Sequence, residues 1–538
     1  MADAGEAGGG EVTIVIALLA AAQVASPQAS LDAMVAPLAK AEAPGCAVAA
    51  ARGGERIATA AFGAADMEHG AAITPDSIFE AGSVAKQFTA AAVVLLAADG
   101  KLAFGANIRT YLPELPDYGM PITIDQLLSH TSGLRDWGAI AAIGGWERGT
   151  RAYTNGDALR IVARQRALNY PPGTEYSYTN SGYNLLAIIV ERVSGQSLAA
   201  FTKARLFDPL GMAQTSWRDD FRRIVKGRAI AYMPTAGGGW EEGRPFENDY
   251  GNGGLLTTVG DLLIWNEALS TGRLGPQIAM RMAERATLAG GRVIPYARGL
   301  QVTRYRGRES VAHSGATGGY RAWLERFPAE RLSVAVLCNG GSLDPVGLGR
   351  RFADTLLPAP VAAVQPDVAV AAERAREGLY VNQSIGRPTR LAFDGTRLKL
   401  DGVPALSPVA AGAYRAGEIE VRFTGMDGFT VTTPDTVARF VRSEPYAPDA
   451  AALAAFAGDY ASDEAEARYT VAVAGSGIRL TNADRPWMTQ QLAPSYRDAF
   501  VDESTVVRFT RDAAGKVTGL RIGIGRVRDL AFRRVAAR

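Results

Sequence analysis

The sequence predicts an α+β domain, an antiparallel sheet with a helical lobe, followed by two small antiparallel β-barrel-like domains. Three observations predict it. Short apolar strand patterns stand at both ends of residues 45–338, with helical and loop-rich sequence between them. An Ala-, Pro- and Val-rich stretch from Leu356 to about Val370 reads as a linker. Beyond it, short β-branched runs broken by Gly and Asp recur at an offset that drifts from 80 to 86 residues.

The chain has 538 residues, enough for several units, and its net charge is +2 with acidic and basic residues interspersed. That balance excludes a nucleic-acid-binding surface or an anionic membrane surface as the organising feature. The first apolar run, Val12 to Ala22, is too short to span a bilayer and resembles a signal-peptide core, although Asp3, Glu6 and Glu11 precede it in place of basic residues. Residues 1–31 are therefore a candidate signal segment. The expectation is a periplasmic or secreted protein, with a cytoplasmic one left open, and no segment reads as transmembrane.

Gly45 to Ala51 and Arg56 to Phe62 flank Gly53-Gly54 and predict a hairpin that opens the folded domain. Gln87 to Ala98 is apolar on all sides and stopped by Asp99-Gly100, which predicts a helix buried inside the domain. Asn184 to Val193 predicts a second such helix, ended by Ser194-Gly195. Strands return at Ser310 to Ser314, Tyr320 to Phe327 and Leu332 to Cys338, so a sheet closed by the two ends of the domain is expected. Cys46 and Cys338, the only cysteines, each lie in an apolar stretch and read as buried strand thiols rather than a disulfide framework or metal site.

Past the linker, Gly378-Leu379-Tyr380, Leu398-Lys399-Leu400, Tyr414 and Val421 to Thr424 recur in order as Gly458-Asp459-Tyr460, Ile478-Arg479-Leu480, Tyr496 and Val507 to Thr510. Two related barrels fit this repeat better than a solenoid, which needs three or more units.

The chemistry centres on Ser83-Val84-Ala85-Lys86, the only serine three residues before a lysine. On a helix, positions i and i+3 share a face, so the Lys86 amine can reach the Ser83 hydroxyl as nucleophile and base. Lysine occurs at only seven positions in a chain whose basic residues are mostly arginine. Arginine cannot give up its proton, whereas a buried lysine can. The helix N-terminus also offers N–H groups to a developing anion.

Two further clusters carry suitable groups. Tyr178 and Asn180, two apart in the loop from Pro171 to Tyr183, can point the same way, one offering a phenol and the other an amide. His313-Ser314-Gly315-Ala316 lies on a predicted strand, where Gly315 would let a substrate backbone approach and the strand could supply a second N–H to an oxyanion hole. With only three histidines, a zinc cluster is not expected, and no cofactor is. No G-x-S-x-G is present, which weighs against an α/β-hydrolase.

Taken together, Ser83-Val84-Ala85-Lys86, Tyr178-Thr179-Asn180 and His313-Ser314-Gly315, in this order and spacing, resemble the serine β-lactamase, penicillin-binding protein and D-aminopeptidase superfamily, in its class C-like branch. The segments from Ile124 to Leu134, which include His130, and from Gly253 to Leu262 resemble framework segments of that superfamily. The resemblance covers about residues 32–355. It implies a β-lactamase/D,D-peptidase-like catalytic domain over 32–357, a linker over 358–370, a barrel over 371–446 and a second, lipocalin-like barrel over 450–538.

The resemblance further implies that Ser83 forms an acyl-enzyme on small amides or esters, with Lys86 and Tyr178 sharing the base role. Asn180 would hold the acyl-side amide, and backbone N–H groups of Ser83 and Ala316 would form the oxyanion hole. His313 departs from the lysine usual at that position in β-lactamases and transpeptidases. A mostly neutral histidine attracts a substrate carboxylate weakly, which points towards D-aminopeptidase and esterase relatives. D-Aminopeptidases of the superfamily append two barrels, one of which sends a loop to the active site. Tyr496-Arg497-Asp498 is the expected loop, with Asp498 receiving the substrate's α-amine. The alternatives are a β-lactamase or D,D-carboxypeptidase/esterase, or a penicillin-recognising binding or sensor module. Expected partners are small peptide, amide or ester substrates, with no nucleic acid and no stable membrane span.

Overall fold

The computed structural model describes residues 25–358 and 374–536. Most of the candidate signal segment and of the predicted linker lies outside those residues. The catalytic domain is built on a six-stranded antiparallel sheet of β1 (Cys46–Arg52), β2 (Glu55–Phe62), β3 (Gln301–Tyr305), β4 (Arg308–Thr317), β5 (Tyr320–Phe327) and β6 (Leu332–Cys338). Its order is β3–β4–β5–β6–β1–β2, so the two ends of the domain meet where β1 pairs with β6.

Alternation along β1 decides how the sheet is covered. Val48 and Ala50 turn to one face, where Leu31 of helix α1 (Pro27–Val35) and Phe352 of a C-terminal helix, Pro345–Leu356, pack over them. Ala47 and Ala49 turn to the other face and join Phe88 and Trp265. Because both faces are covered, Cys46 to Ala51 are all buried and read as a continuous apolar run. Phe88 belongs to α2 (Lys86–Ala98), buried from Lys86 to Leu96, as a helix apolar on all sides must be. The second predicted helix is α3 (Asn180–Ser194), stopped by Gly195 in the left-handed conformation.

The cysteines correct an expectation. Cys46 on β1 is the register partner of Cys338 on β6, with Cα atoms 4.0 Å apart, and the two form a disulfide. Each is a buried strand residue as expected. Their pairing across 292 residues follows from strand order, which neither local sequence contains.

Two closed eight-stranded barrels follow, the first from Gly378 to Ser443 and the second from Gly458 to Val535. Closure leaves neither barrel with an open sheet edge. The repeat has a physical basis in Tyr380 and Tyr460. Each is fully buried and donates its hydroxyl to the carbonyl four residues upstream, Arg376 at 2.8 Å and Phe456 at 2.7 Å. Tyr414 and Tyr496 are not equivalent, however. Tyr414 lies in the strand Ala413–Ala416, and its positional counterpart in Ala499–Val501 is Phe500, whereas Tyr496 lies in the preceding turn.

The second barrel is fixed to the catalytic domain by buried polar contacts. Arg135 pairs with Glu464 at 2.9 Å, with the two side chains 3% and 11% exposed, and the Glu464 carboxylate also accepts the Arg166 N–H at 2.8 Å. Tyr469 donates to the Ile143 carbonyl at 2.8 Å, and its ring joins the apolar core that runs through the catalytic domain. The first barrel keeps its own core and meets the catalytic domain through Arg292, which donates to the Pro434 carbonyl at 2.8 Å. Among the described residues no single helix is long and apolar enough to cross a membrane.

Candidate active site

Ser83 stands on a tight 3-10 turn, Gly82–Ala85, between the short strand Phe79–Glu80 and α2. The turn is held from behind by Glu80, a buried carboxylate paired with Arg218 at 3.0 Å and Arg228 at 3.3 Å. In front of it runs β4. Gly82 has φ +50°, and a Cβ there would lie 2.6 Å from the Ala316 nitrogen. A Cβ on Gly315 would lie 2.0 Å from the Ala81 carbonyl oxygen. The expected role of Gly315 is therefore corrected: its missing side chain admits the nucleophile turn rather than a substrate backbone. The same close approach brings the Ala316 N–H against the turn that carries Ser83.

Lys86 is fully buried, and its Nζ makes three contacts: Ser83 Oγ at 3.1 Å, Asn180 Oδ1 at 3.0 Å and the Asn252 carbonyl at 2.5 Å. The latter two oxygens only accept, so they take two N–H bonds from the amine. The third neighbour is a hydroxyl, which can donate. A neutral amine satisfies this set by aiming its lone pair at Ser83. Burial drives the Lys86 pKa well below its usual value, and the Arg526 guanidinium lowers it further. Asn252 is held by the Asn184 amide at 3.0 Å.

Tyr178 covers the amine, its ring centroid 4.8 Å from Lys86 Nζ. The loop before it is pinned by Ser177 N–H to the His130 carbonyl at 3.0 Å, and Thr179 N–H donates to His130 Nδ1 at 3.3 Å. Asn180 is the first residue of α3 rather than part of an extended loop, with its N–H donating to Asp136 Oδ2 at 2.7 Å. His130, expected to be a framework residue, packs its ring 4.2 Å from that of Tyr178 and so supports a site residue directly. Burial raises the Tyr178 pKa, opposed by the nearby Ser83 hydroxyl and by Arg526, so the phenol is protonated at neutral pH; its buried hydroxyl has no hydrogen-bond partner among the described residues.

His313 is buried on β4 with both nitrogens engaged. Nδ1 lies 2.6 Å from the Ser314 carbonyl and must carry the proton, which leaves Nε2 to accept from the Tyr296 hydroxyl at 3.0 Å. Burial lowers its pKa to about 4, with the positive charge of Lys86, when protonated, acting the same way. A neutral imidazole so occupied offers no charge to a substrate carboxylate.

The structure brings together Ser83, Lys86, Tyr178, Asn180, His313, Gly315 and Ala316, and it leaves Asp498 elsewhere. Asp498 lies in the second barrel, paired through both oxygens with Arg511 at 2.8 to 3.1 Å. Its carboxylate is satisfied within its own domain. The barrel does reach the active site, but through the hairpin Val517–Ile524/Val527–Val535, whose tip residue Arg526 stands 4.7 Å over the Tyr178 ring. Sequence reasoning missed Arg526 and Asn252. The signal available for Arg526 was a two-residue turn, Gly525-Arg526, between two β-patterned runs. A cavity of about 350 Å³ lies beside Ala316, lined also by Arg148, Phe246, Glu247 and Gly318, with room for a small substrate.

Comparison with known proteins places the chain among named relatives. The chain is 28% identical over 535 residues to a D-aminopeptidase of Gluconobacter oxydans, covering 94% of this chain and 99% of that one. It is 25% identical to a D-aminopeptidase of Brucella anthropi, covering 91% and 95%. An octameric penicillin-binding protein homologue from Pyrococcus abyssi shares the fold with a TM-score of 0.55 and 22% identity over 84% of this chain and 97% of its own. The model of the family named Beta-lactamase matches residues 31–357, well over half of the chain and the whole of the domain that holds Ser83. The chain belongs to the β-lactamase family and is a serine hydrolase.

Proposed function

We propose that the protein hydrolyses small amides through an acyl-enzyme on Ser83, as a D-aminopeptidase-like exopeptidase. The observation that carries this reading is the hydrogen-bond set of Lys86, two carbonyl oxygens and one hydroxyl, which leaves a lone pair for the Ser83 proton. Lys86 takes that proton as Oγ adds to the substrate carbonyl carbon. The oxyanion meets the N–H groups of Ser83 and Ala316. Tyr178 donates a proton to the leaving nitrogen as the C–N bond breaks, and the proton held by Lys86 replaces it. Water then attacks the ester by the reverse sequence of transfers. The D-aminopeptidase assignment is supported by two relatives of that name aligned over nearly the full chain, barrels included.

Turnover of D-alanyl p-nitroanilide, compared with L-alanyl p-nitroanilide and nitrocefin, tests the reading in wild type and Ser83→Ala. D-Alanyl turnover lost in Ser83→Ala supports it. Faster catalytic hydrolysis of nitrocefin would favour a β-lactamase instead, and a long-lived Ser83 adduct without turnover a penicillin-recognising module. We also propose export from the cytoplasm, which the Cys46–Cys338 disulfide supports. Fractionation of cells expressing the full chain tests it.

A further inference from the structure

The charges around Ser83 are almost all cancelled. Burial disfavours the charged form of Lys86, and it lowers the His313 pKa to about 4, which leaves that imidazole neutral at pH 7. Arg148 is balanced by Glu247 and by Asp249 at 3.3 Å. Asp136 spends its oxygens on the N–H groups of Asn180 at 2.7 Å and Ala139 at 3.2 Å and on the Thr179 hydroxyl at 3.3 Å. Arg526 differs in that its ion pair with Asp136 is long and leaves its N–H groups open. Its guanidinium lies on the Tyr178 ring and 3.8 Å from Asp136 Oδ2, beyond hydrogen-bond distance, and its side chain is 44% exposed. Among the described residues no acceptor takes its N–H groups.

The tip that carries it is held in place by the catalytic domain. The Asn169 side chain donates to the Arg526 carbonyl at 2.9 Å and accepts from the Arg528 N–H at 2.8 Å. Arg528 pairs with Glu175 at 2.9 Å, three residues from Tyr178. A rigid backbone thus presents a planar cation, paired only at 3.8 Å with Asp136 and with its N–H groups open, against the residue that faces the leaving group. Planar guanidinium groups bind carboxylates through two parallel hydrogen bonds, a geometry lysine does not offer.

We infer that Arg526, supplied by the second barrel, forms a carboxylate subsite on the leaving-group side of the active site. It selects amides whose leaving amine carries a free carboxylate, such as a peptide C-terminus, over uncharged amides. The side is set by Tyr178: the proton returned to the leaving nitrogen comes from the residue on which Arg526 stacks. The inference rests on the amide-hydrolase reading above, and it moves the anion-binding task from the strand position of His313 to a different domain.

The test is a matched pair, D-alanyl-glycine and D-alanyl-glycinamide, which share the acyl group and scissile bond and differ in the terminal charge. Release of D-alanine is followed for wild type, Arg526→Gln and Arg526→Lys. Wild type should favour the acid by at least about tenfold in kcat/KM, the size of one charge-assisted contact. The ratio should fall with added salt, collapse towards one in Arg526→Gln and survive in part in Arg526→Lys. Loss common to both substrates does not enter the ratio. A wild-type ratio of one or less, or a ratio unchanged in Arg526→Gln, overturns the proposal. If wild type cleaves neither compound, the amide reading fails and binding decides separately. Calorimetry on Ser83→Ala should still show tighter binding of the acid, lost in Ser83→Ala/Arg526→Gln, and equal binding of acid and amide overturns the subsite.

Discussion

Lys86 Nζ stands 3.1 Å from Ser83 Oγ, with its two other hydrogen bonds going to oxygens that can only accept. The pair therefore works as a unit only if the amine can be neutral, and several consequences can be measured.

Replacing Lys86 with arginine keeps a long basic side chain but removes the lone pair, because guanidinium does not deprotonate. Lys86→Arg should lower kcat by at least about 10³-fold, of the order seen when a nucleophile loses its base. Initial rates on D-alanyl p-nitroanilide, with melting curves to establish folding, check this. Activity within tenfold of wild type would rule out the lone-pair role.

The pH profile follows from the same pair. Protonation of Lys86 removes its lone pair, so kcat/KM should rise with pH along an acid limb set by the lowered Lys86 pKa. Arg526 lowers that pKa and Asp136 raises it. Removing the cation in Arg526→Gln should therefore move the limb to higher pH, and removing the anion in Asp136→Asn should move it lower. Shifts of the same sign in both variants would refute this electrostatic assignment.

His313 contributes to pH-dependent stability. Its folded pKa is about 4 against an ordinary value of 6.5, so the unfolded chain takes up a proton first as pH falls. The stability from burying a neutral imidazole is complete above pH 6.5 and is lost on descending towards pH 4. At 1.36 kcal/mol per unit this amounts to about 2 kcal/mol between pH 7 and 5. Urea unfolding at the two pH values should show a smaller decline in His313→Gln than in wild type.

Gly315→Ala should damage activity more than fold. The added Cβ falls 2.0 Å from the Ala81 carbonyl, so the turn carrying Ser83 must move. A shift of this kind at a nucleophile costs about 10²-fold in rate. Burst kinetics with a chromogenic ester would show slower acylation, and a wild-type burst rate would contradict the packing described.

The disulfide should stabilise without taking part in catalysis. Cys46→Ala/Cys338→Ala should lose about 2–5 kcal/mol of unfolding free energy and retain its kcat at 25 °C. Chemical denaturation of the two proteins, paired with rate measurements, checks both halves.

Much of this site is legible from local sequence. Ser83 and Lys86 stand three positions apart, and the apolar run that follows them announces a buried helix without any knowledge of its neighbours. Tyr178, Asn180 and His313 are legible by resemblance, since their order and spacing match a known arrangement. Asn252 is not legible, because it acts through its backbone carbonyl, which every residue possesses. Gly315 is visible as a glycine, but which backbone it admits depends on where the Ser83 turn packs.

The barrels show the same division. Their existence follows from β-patterned runs and a repeat, and the register of the tyrosines Tyr380 and Tyr460 follows with it. Tyr496-Arg497-Asp498 and Gly525-Arg526 are both polar turns of the second barrel, and nothing local distinguishes the one that Arg511 neutralises from the one that enters the active site.

By itself, the sequence determined the α+β class, the two barrels and the Ser83–Lys86 nucleophile, because strand alternation, helix burial and an i,i+3 pair are properties of neighbouring residues. Only the tertiary structure decided the Cys46–Cys338 disulfide, the occupied and neutral state of His313 and the presence of Arg526 over Tyr178. Each of these depends on which distant backbones pack together, and contacts across 292 or 348 residues of separation leave no periodic trace along the chain.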